Sequence, residues 1–89
     1  MKQHIATIPK NGREEIRVAL DEFETKEASY DMVSCRTFYE DGGEYHPGRN
    51  GLNVRVHFLP AIIAALQEAE AEARAAGLLD EDNRGERDG

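Results

Sequence analysis

Arg36, Phe38, Tyr39, Tyr45 and Arg49 all fall within one sixteen-residue stretch, RTFYEDGGEYHPGRNG, residues 36–51. Guanidinium groups interleaved with aromatic rings can hold a phosphate and stack a base, each stacked base being worth roughly 1–3 kcal/mol. Asp41, Gly42 and Gly43 interrupt the stretch with residues that tolerate positive φ, so its two arms are expected to pair as a β-hairpin. Pro47 lacks a backbone donor and belongs at a sheet edge or a bulge, while Gly48 and Gly51 around Arg49-Asn50 permit a sharp turn and close approach by a ligand. Lys10, Arg13, Arg17 and Lys26 lie upstream and are further candidate phosphate contacts by proximity alone. The competing reading makes Phe23 and Phe38 core residues and the cations ordinary surface charges.

Other chemistries have little support. His4, His46, His57 and Cys35 do not follow a zinc-ligand spacing. Cys35 sits on an expected buried strand face and reads as a small core hydrophobe rather than a nucleophile. No glycine-rich phosphate loop opens a helix, because both glycine pairs lie between strands. We therefore expect no catalytic residue, no metal and no cofactor, and a protein that is not an enzyme.

The elements that must position the candidate site follow from periodicity. Ile5 to Ile8 is a short β-prone run stopped by Pro9, and Asn11-Gly12 marks a turn. Ile16, Val18 and Leu20 alternate, predicting a strand over 16–23, although Ile16, Leu20 and Phe23 also fit one helical face. From Tyr30 to Tyr39 alternation puts Tyr30, Met32, Ser34, Arg36 and Phe38 on one face, and Val33, Cys35, Thr37 and Tyr39 on the other. Leu52, Val54 and Val56 alternate with Asn53, Arg55 and His57 as a last strand. Leu59, Ile62, Ile63 and Leu66 then take up helical spacing, which Ala69, Ala73 and Ala76 continue, with Pro60 tolerated in the first turn and Gly77 as the stop.

Composition sets limits on what these elements can do. With 89 residues the chain is one domain, residues 1–77, that buries only about 60–65% of its unfolded surface, so a partner subunit would help. One cysteine fits a reducing compartment, and the N-terminus lacks the apolar segment of a leader. No apolar run approaches the ~20 residues that span a bilayer. We expect a cytoplasmic location without membrane contact. The net charge of −7 argues against nucleic acid, but it is unevenly spread. Met1 to His57 carries 8 Lys and Arg against 10 Asp and Glu, whereas Phe58 to Gly89 carries 3 against 8. A basic sheet face survives if most of the first ten acids lie in turns or on the other face. Residues 78–89, LLDEDNRGERDG, read as a disordered acidic tail.

Taken in order, IRVALDEF, CRTFYEDGGEYHPGRNGL with its Pro-x-x-x-Gly step at Pro47–Gly51, and the amphipathic helix resemble the transcriptional coactivator family of positive cofactor four and its small bacterial relatives. The resemblance covers roughly Ile5 to Ala76. It implies an α+β fold, a four-stranded antiparallel, strongly curved sheet followed by one C-terminal helix (ββββα). It also implies a homodimer packed through helix positions such as Leu59, Ile62, Ile63, Leu66, Ala69 and Ala73. Phe23, Arg36, Tyr39 and Arg49 match binding positions, and Tyr45 and Asn50 lie beside them. Two departures stand out: Glu24 and Asn50 occupy places where relatives carry Lys. Relatives also begin their helix with an Asn-Pro step near Arg55-Val56, which this chain lacks. The implied function is binding of single-stranded DNA with little sequence preference, in transcription regulation or DNA maintenance. RNA or melted duplex is an alternative ligand, contact with transcription machinery is implied, and a nucleoid association follows if the source is bacterial. The alternative function is an acidic dimeric protein-interaction module that has lost nucleic-acid binding.

Overall fold

The computed structural model describes residues 2–79 and forms two units, a sheet up to Val56 and a helical unit from His57. Four strands, β1 (Gln3–Pro9), β2 (Glu14–Glu24), β3 (Ser29–Asp41) and β4 (Glu44–Arg55), make one antiparallel sheet in the order β1-β2-β3-β4. A short 3₁₀ turn, Val56–Phe58, precedes helix α1 (Leu59–Ala75). The expected ββββα order is therefore present, with strands longer than periodicity alone delimits. Pro9 closes β1 from within, paired with Glu15. The last strand ends at Arg55 rather than reaching His57, because Val56–Phe58 tightens into the 3₁₀ turn. The residues expected as an acidic tail lie outside the described residues beyond Leu79.

Each turn is closed by the side chains the sequence supplies. Asn11 accepts from the Arg13 amide at 2.9 Å and donates to Glu14 at 2.8 Å between β1 and β2. The Asn11 side-chain amide, with the Lys10 ammonium, holds the Glu14 carboxyl below its usual pKa. Between β2 and β3 the Thr25 hydroxyl accepts from the Glu27 and Ala28 amides at 3.2 and 3.1 Å. Gly42 and Gly43, at φ 67° and 85°, form the two-residue turn from β3 to β4, a shape whose twist matches the paired strands.

The register sorts the side chains onto two faces. Ile8, Ile16, Val18, Leu20, Val33, Cys35, Leu52 and Val54 share one face, since Ile8 pairs with Ile16, Val18 with Cys35 and Leu20 with Val33, and Cys35 and Val33 pair onward with Leu52 and Val54. Among the described residues Val33, 4% exposed, is the one fully buried hydrophobic side chain; Ile8 and Leu52 remain exposed. In the helical unit, α1 has Pro60 in its first turn and ends in a Schellman motif. The Leu78 amide donates to the Ala73 carbonyl at 2.8 Å and the Gly77 amide to that of Arg74 at 3.1 Å, with Gly77 at φ 77°. None of its residues is buried, and Ile63 and Leu66 are exposed.

Candidate nucleic-acid interface

The opposite sheet face carries the cations. Arg17 lies directly across from Arg36, and Arg36 from Gly51, while Ala19, Ser34 and Asn53 form the next row and Asp21, Met32 and Arg55 the one beyond. Arg17, Arg36, Ala19, Ser34, Asn53 and Asp21 of these rows line a concavity of about 660 Å³ whose wall also includes Lys2, His4, Phe38 and Pro47. Two arginines placed opposite each other on neighbouring strands repel, so each needs a local partner. Arg17 finds three. Its Nε donates to Glu15 at 2.6 Å, and its guanidinium carbon lies 4.3 Å from the Phe38 ring centre and 5.3 Å from that of Tyr45. Arg36 instead donates from Nη1 to the Gly48 carbonyl at 3.1 Å.

That carbonyl is available because β4 bulges. Between the pairs Arg36–Gly51 and Phe38–Pro47, β3 has one residue, Thr37, and β4 has three, Gly48, Arg49 and Asn50. The extra backbone folds against Arg36. Gly51 takes φ 146°, and a Cβ there would stand 2.5 Å from the Cys35 carbonyl oxygen and 2.6 Å from the Arg36 Cα. Arg49 and Asn50 are left exposed on the bulge, and Arg49 has no hydrogen bond or ion pair among the described residues.

The sequence-predicted residues do not all converge. Arg17, Arg36 and Tyr45 meet around Phe38, with Arg49 and Asn50 on the adjoining bulge. Arg13 stands at the β1–β2 turn, paired with Glu40 at 3.6 Å, and Lys10 is paired with Glu14 at 3.2 Å. Tyr39, 43% exposed, lies across from Glu14 and His46, with its ring centre 5.7 Å from that of His46. That register sets Tyr39 on the face opposite Arg36. Phe23 and Lys26 occupy the far end of the sheet, where Phe23 pairs with Tyr30. Lys2, Tyr30 and Arg55 join the basic face although they were not among the candidates, and Phe38, which the competing reading made a core residue, lies there too. For Tyr30 and Phe38 the signal was present, because strand alternation already set them beside Arg36.

The face is basic within an acidic chain. Lys2, Arg17, Arg36 and Arg55 share their face with Glu15, Asp21 and, at its edge across from Tyr45, Glu40, and Asp21 is itself 3.9 Å from Lys2. Glu14, Glu22, Asp31, Asp41 and Glu44 fall on rows of the other face. Charge is thus segregated between the two faces of one sheet. No metal-binding group of three or more His, Cys, Asp or Glu occurs among the described residues, and among them no helix is long and apolar enough to cross a membrane.

Two solved structures share this architecture. A PC4 homolog from Burkholderia pseudomallei superimposes with a TM-score of 0.65 at 24% identity, covering 79% of this chain and 98% of its own. MoSub1, crystallised as a complex with single-stranded DNA, gives a TM-score of 0.56 at 28% identity, covering 80% of this chain and 78% of its own. No family model matches the sequence, and no curated protein does. In three dimensions the chain is similar to proteins of the positive cofactor four family, and its ββββα fold is theirs.

Proposed function

We propose that this protein binds single-stranded DNA across the basic face of its sheet, with little sequence preference. It acts as a homodimer in transcription regulation or DNA maintenance in the cytoplasm, without enzymatic turnover. The observation that carries this reading is the segregation of charge: a chain of net −7 keeps Lys2, Arg17 and Arg36 together around a concavity walled by Phe38, with Arg55 on the same sheet face. Phosphates would be held chiefly by Arg36 and Arg49, with bases on Phe38 and Tyr45. The crystallised MoSub1 complex with single-stranded DNA supports the ligand class. The test is fluorescence anisotropy of a labelled single strand against its duplex at low and moderate salt. The parent should favour the single strand and lose affinity steeply with salt, and Arg36→Ala with Arg49→Ala should weaken binding and flatten that dependence. A double variant that binds like the parent sinks the proposal.

A second reading has its own observation. Lys2, Lys10, Arg13 and Arg17 each lie within ion-pair distance of a carboxylate, which lowers the charge left for phosphate. A dimeric protein-interaction module of the same fold would show no binding of the single strand even at low salt.

A further inference from the structure

We infer that Asn53, with the Ser34 hydroxyl beside it, reads the Watson–Crick edge of an unpaired base and so sets the preference for single strand over duplex. This deepens the single-strand reading above and rests on it. Asn53 of β4, Ser34 of β3, Ala19 of β2 and His4 of β1 are successive cross-strand neighbours, and all four line the concavity. The row they form carries no carboxylate or guanidinium. Arg17 and Arg36 stand two residues along the strands on one side of it, and Asp21 and Arg55 two residues along on the other, about 7 Å away at ~3.3 Å per residue. An uncharged hydrogen-bonding row therefore lies within one nucleotide's reach of the cations that would hold its phosphate.

The members of the row differ in what they leave free. His4 is engaged, with its Nε2 3.0 Å from the Thr7 hydroxyl, and Ala19 offers a methyl group. Asn53 is exposed and Ser34 half-buried, and neither side chain has a hydrogen bond among the described residues. Asparagine is a poor strand former, whereas its chain neighbours Leu52 and Val54 on the other face are aliphatic and pack the strand. The carboxamide presents an acceptor and a donor side by side. Every unpaired base shows a matching pair on its Watson–Crick edge: a ring nitrogen with an exocyclic amine in adenine and cytosine, a ring N–H with a carbonyl in guanine and thymine. The terminal torsion of asparagine is roughly two-fold, so the amide can turn to meet either order. The contact then separates unpaired from paired bases without choosing among the four. Charge alone does not, since a duplex presents its phosphates while its edges stay occupied.

The experiment measures anisotropy of a labelled oligothymidine of about twelve nucleotides, within the ~4–16 typical of such sites, and of the same strand methylated at the thymine ring N–H. Methylation removes the donor and leaves the base uncharged. The parent should bind the unmethylated strand about five- to tenfold tighter, the lower end for a bidentate contact between a side chain and a base. Asn53→Val, which supplies a residue that strands favour, should bind both strands as weakly as the parent binds the methylated one. Its salt dependence should match the parent's because no cation is lost, with thermal unfolding reporting that the fold is intact. A parent indifferent to methylation overturns the inference. So does an Asn53→Val variant that still discriminates, because the methyl group then acts elsewhere; both results leave the single-strand reading standing. A parent that binds neither strand overturns the reading and the inference together.

Discussion

Arg17 has three partners before any ligand arrives. Glu15 and the rings of Phe38 and Tyr45 hold the guanidinium flat against the sheet, directly opposite a second arginine. The Arg17–Glu15 pair is part-buried, and even exposed ion pairs are worth about 0.2–1 kcal/mol, so a phosphate can compete with Glu15 for this cation but at a disadvantage. Glu15→Gln should therefore raise single-strand affinity about two- to fivefold, the equivalent of that pair. It should also steepen the slope of log affinity against log salt by about 0.7, one more phosphate neutralised. A salt series in anisotropy reads both; an unchanged slope would mean that Arg17 serves only to brace the rings. Phe38 and Tyr39 show where residue-level reading from sequence stops. Alternation separates them onto opposite faces, and it was the neighbour of Arg36 by spacing of two, not the aromatic matched by resemblance, that came to share its face. Strand spacing sets Glu15 and Arg17 on one face, but whether they pair depends on rotamers that the spacing does not encode.

At the scale of elements, the β3–β4 hairpin decides where Arg36 points. Its turn was legible because Gly42-Gly43 leaves few alternatives, and Pro47 announced the irregularity in β4. The size of the bulge was not legible. Three residues opposite one is a matter of backbone hydrogen bonding, which side-chain pattern does not encode, and it also joined two expected segments into one strand. The bulge brings the Gly51 backbone against Arg36 so closely that a methyl group has no room. Gly51→Ala should lower stability by on the order of 1–3 kcal/mol, the usual penalty of a forced backbone position. In a domain of this size that is a fall in Tm of roughly 4–8 °C per kcal/mol. Gly12→Ala is the control, since a Cβ there meets nothing within 4 Å. Calorimetry on the two variants separates a general loss of glycine from the specific clash; equal melting of both would show that the bulge yields.

On the scale of the whole molecule, the main imbalance is between the amount of apolar surface and the amount that is buried. Only Val33 among the described hydrophobic residues is fully shielded, while Ile8, Leu52, Ile63 and Leu66 are 50%, 40%, 46% and 63% exposed. Small chains bury too little surface to be comfortable alone, and a two-fold dimer is the commonest remedy because one self-complementary patch serves both copies. The helix stripe of Leu59, Ile62, Ile63, Leu66, Ala69 and Ala73 was readable from its spacing, whereas what covers it is a property of an assembly that one chain's pattern does not specify. We expect the protein in solution to have twice the 10.0 kDa mass of the chain. Leu66→Glu, which places a charge where the stripe is most exposed, would be harmless in a monomer but should split a dimer packed through the helix and lower its melting temperature. Sedimentation equilibrium of parent and variant distinguishes the cases. A dimeric parent with a monomeric variant assigns the interface to the helix, a dimeric variant moves it to the apolar sheet face, and a monomeric parent removes the dimer from the proposed function.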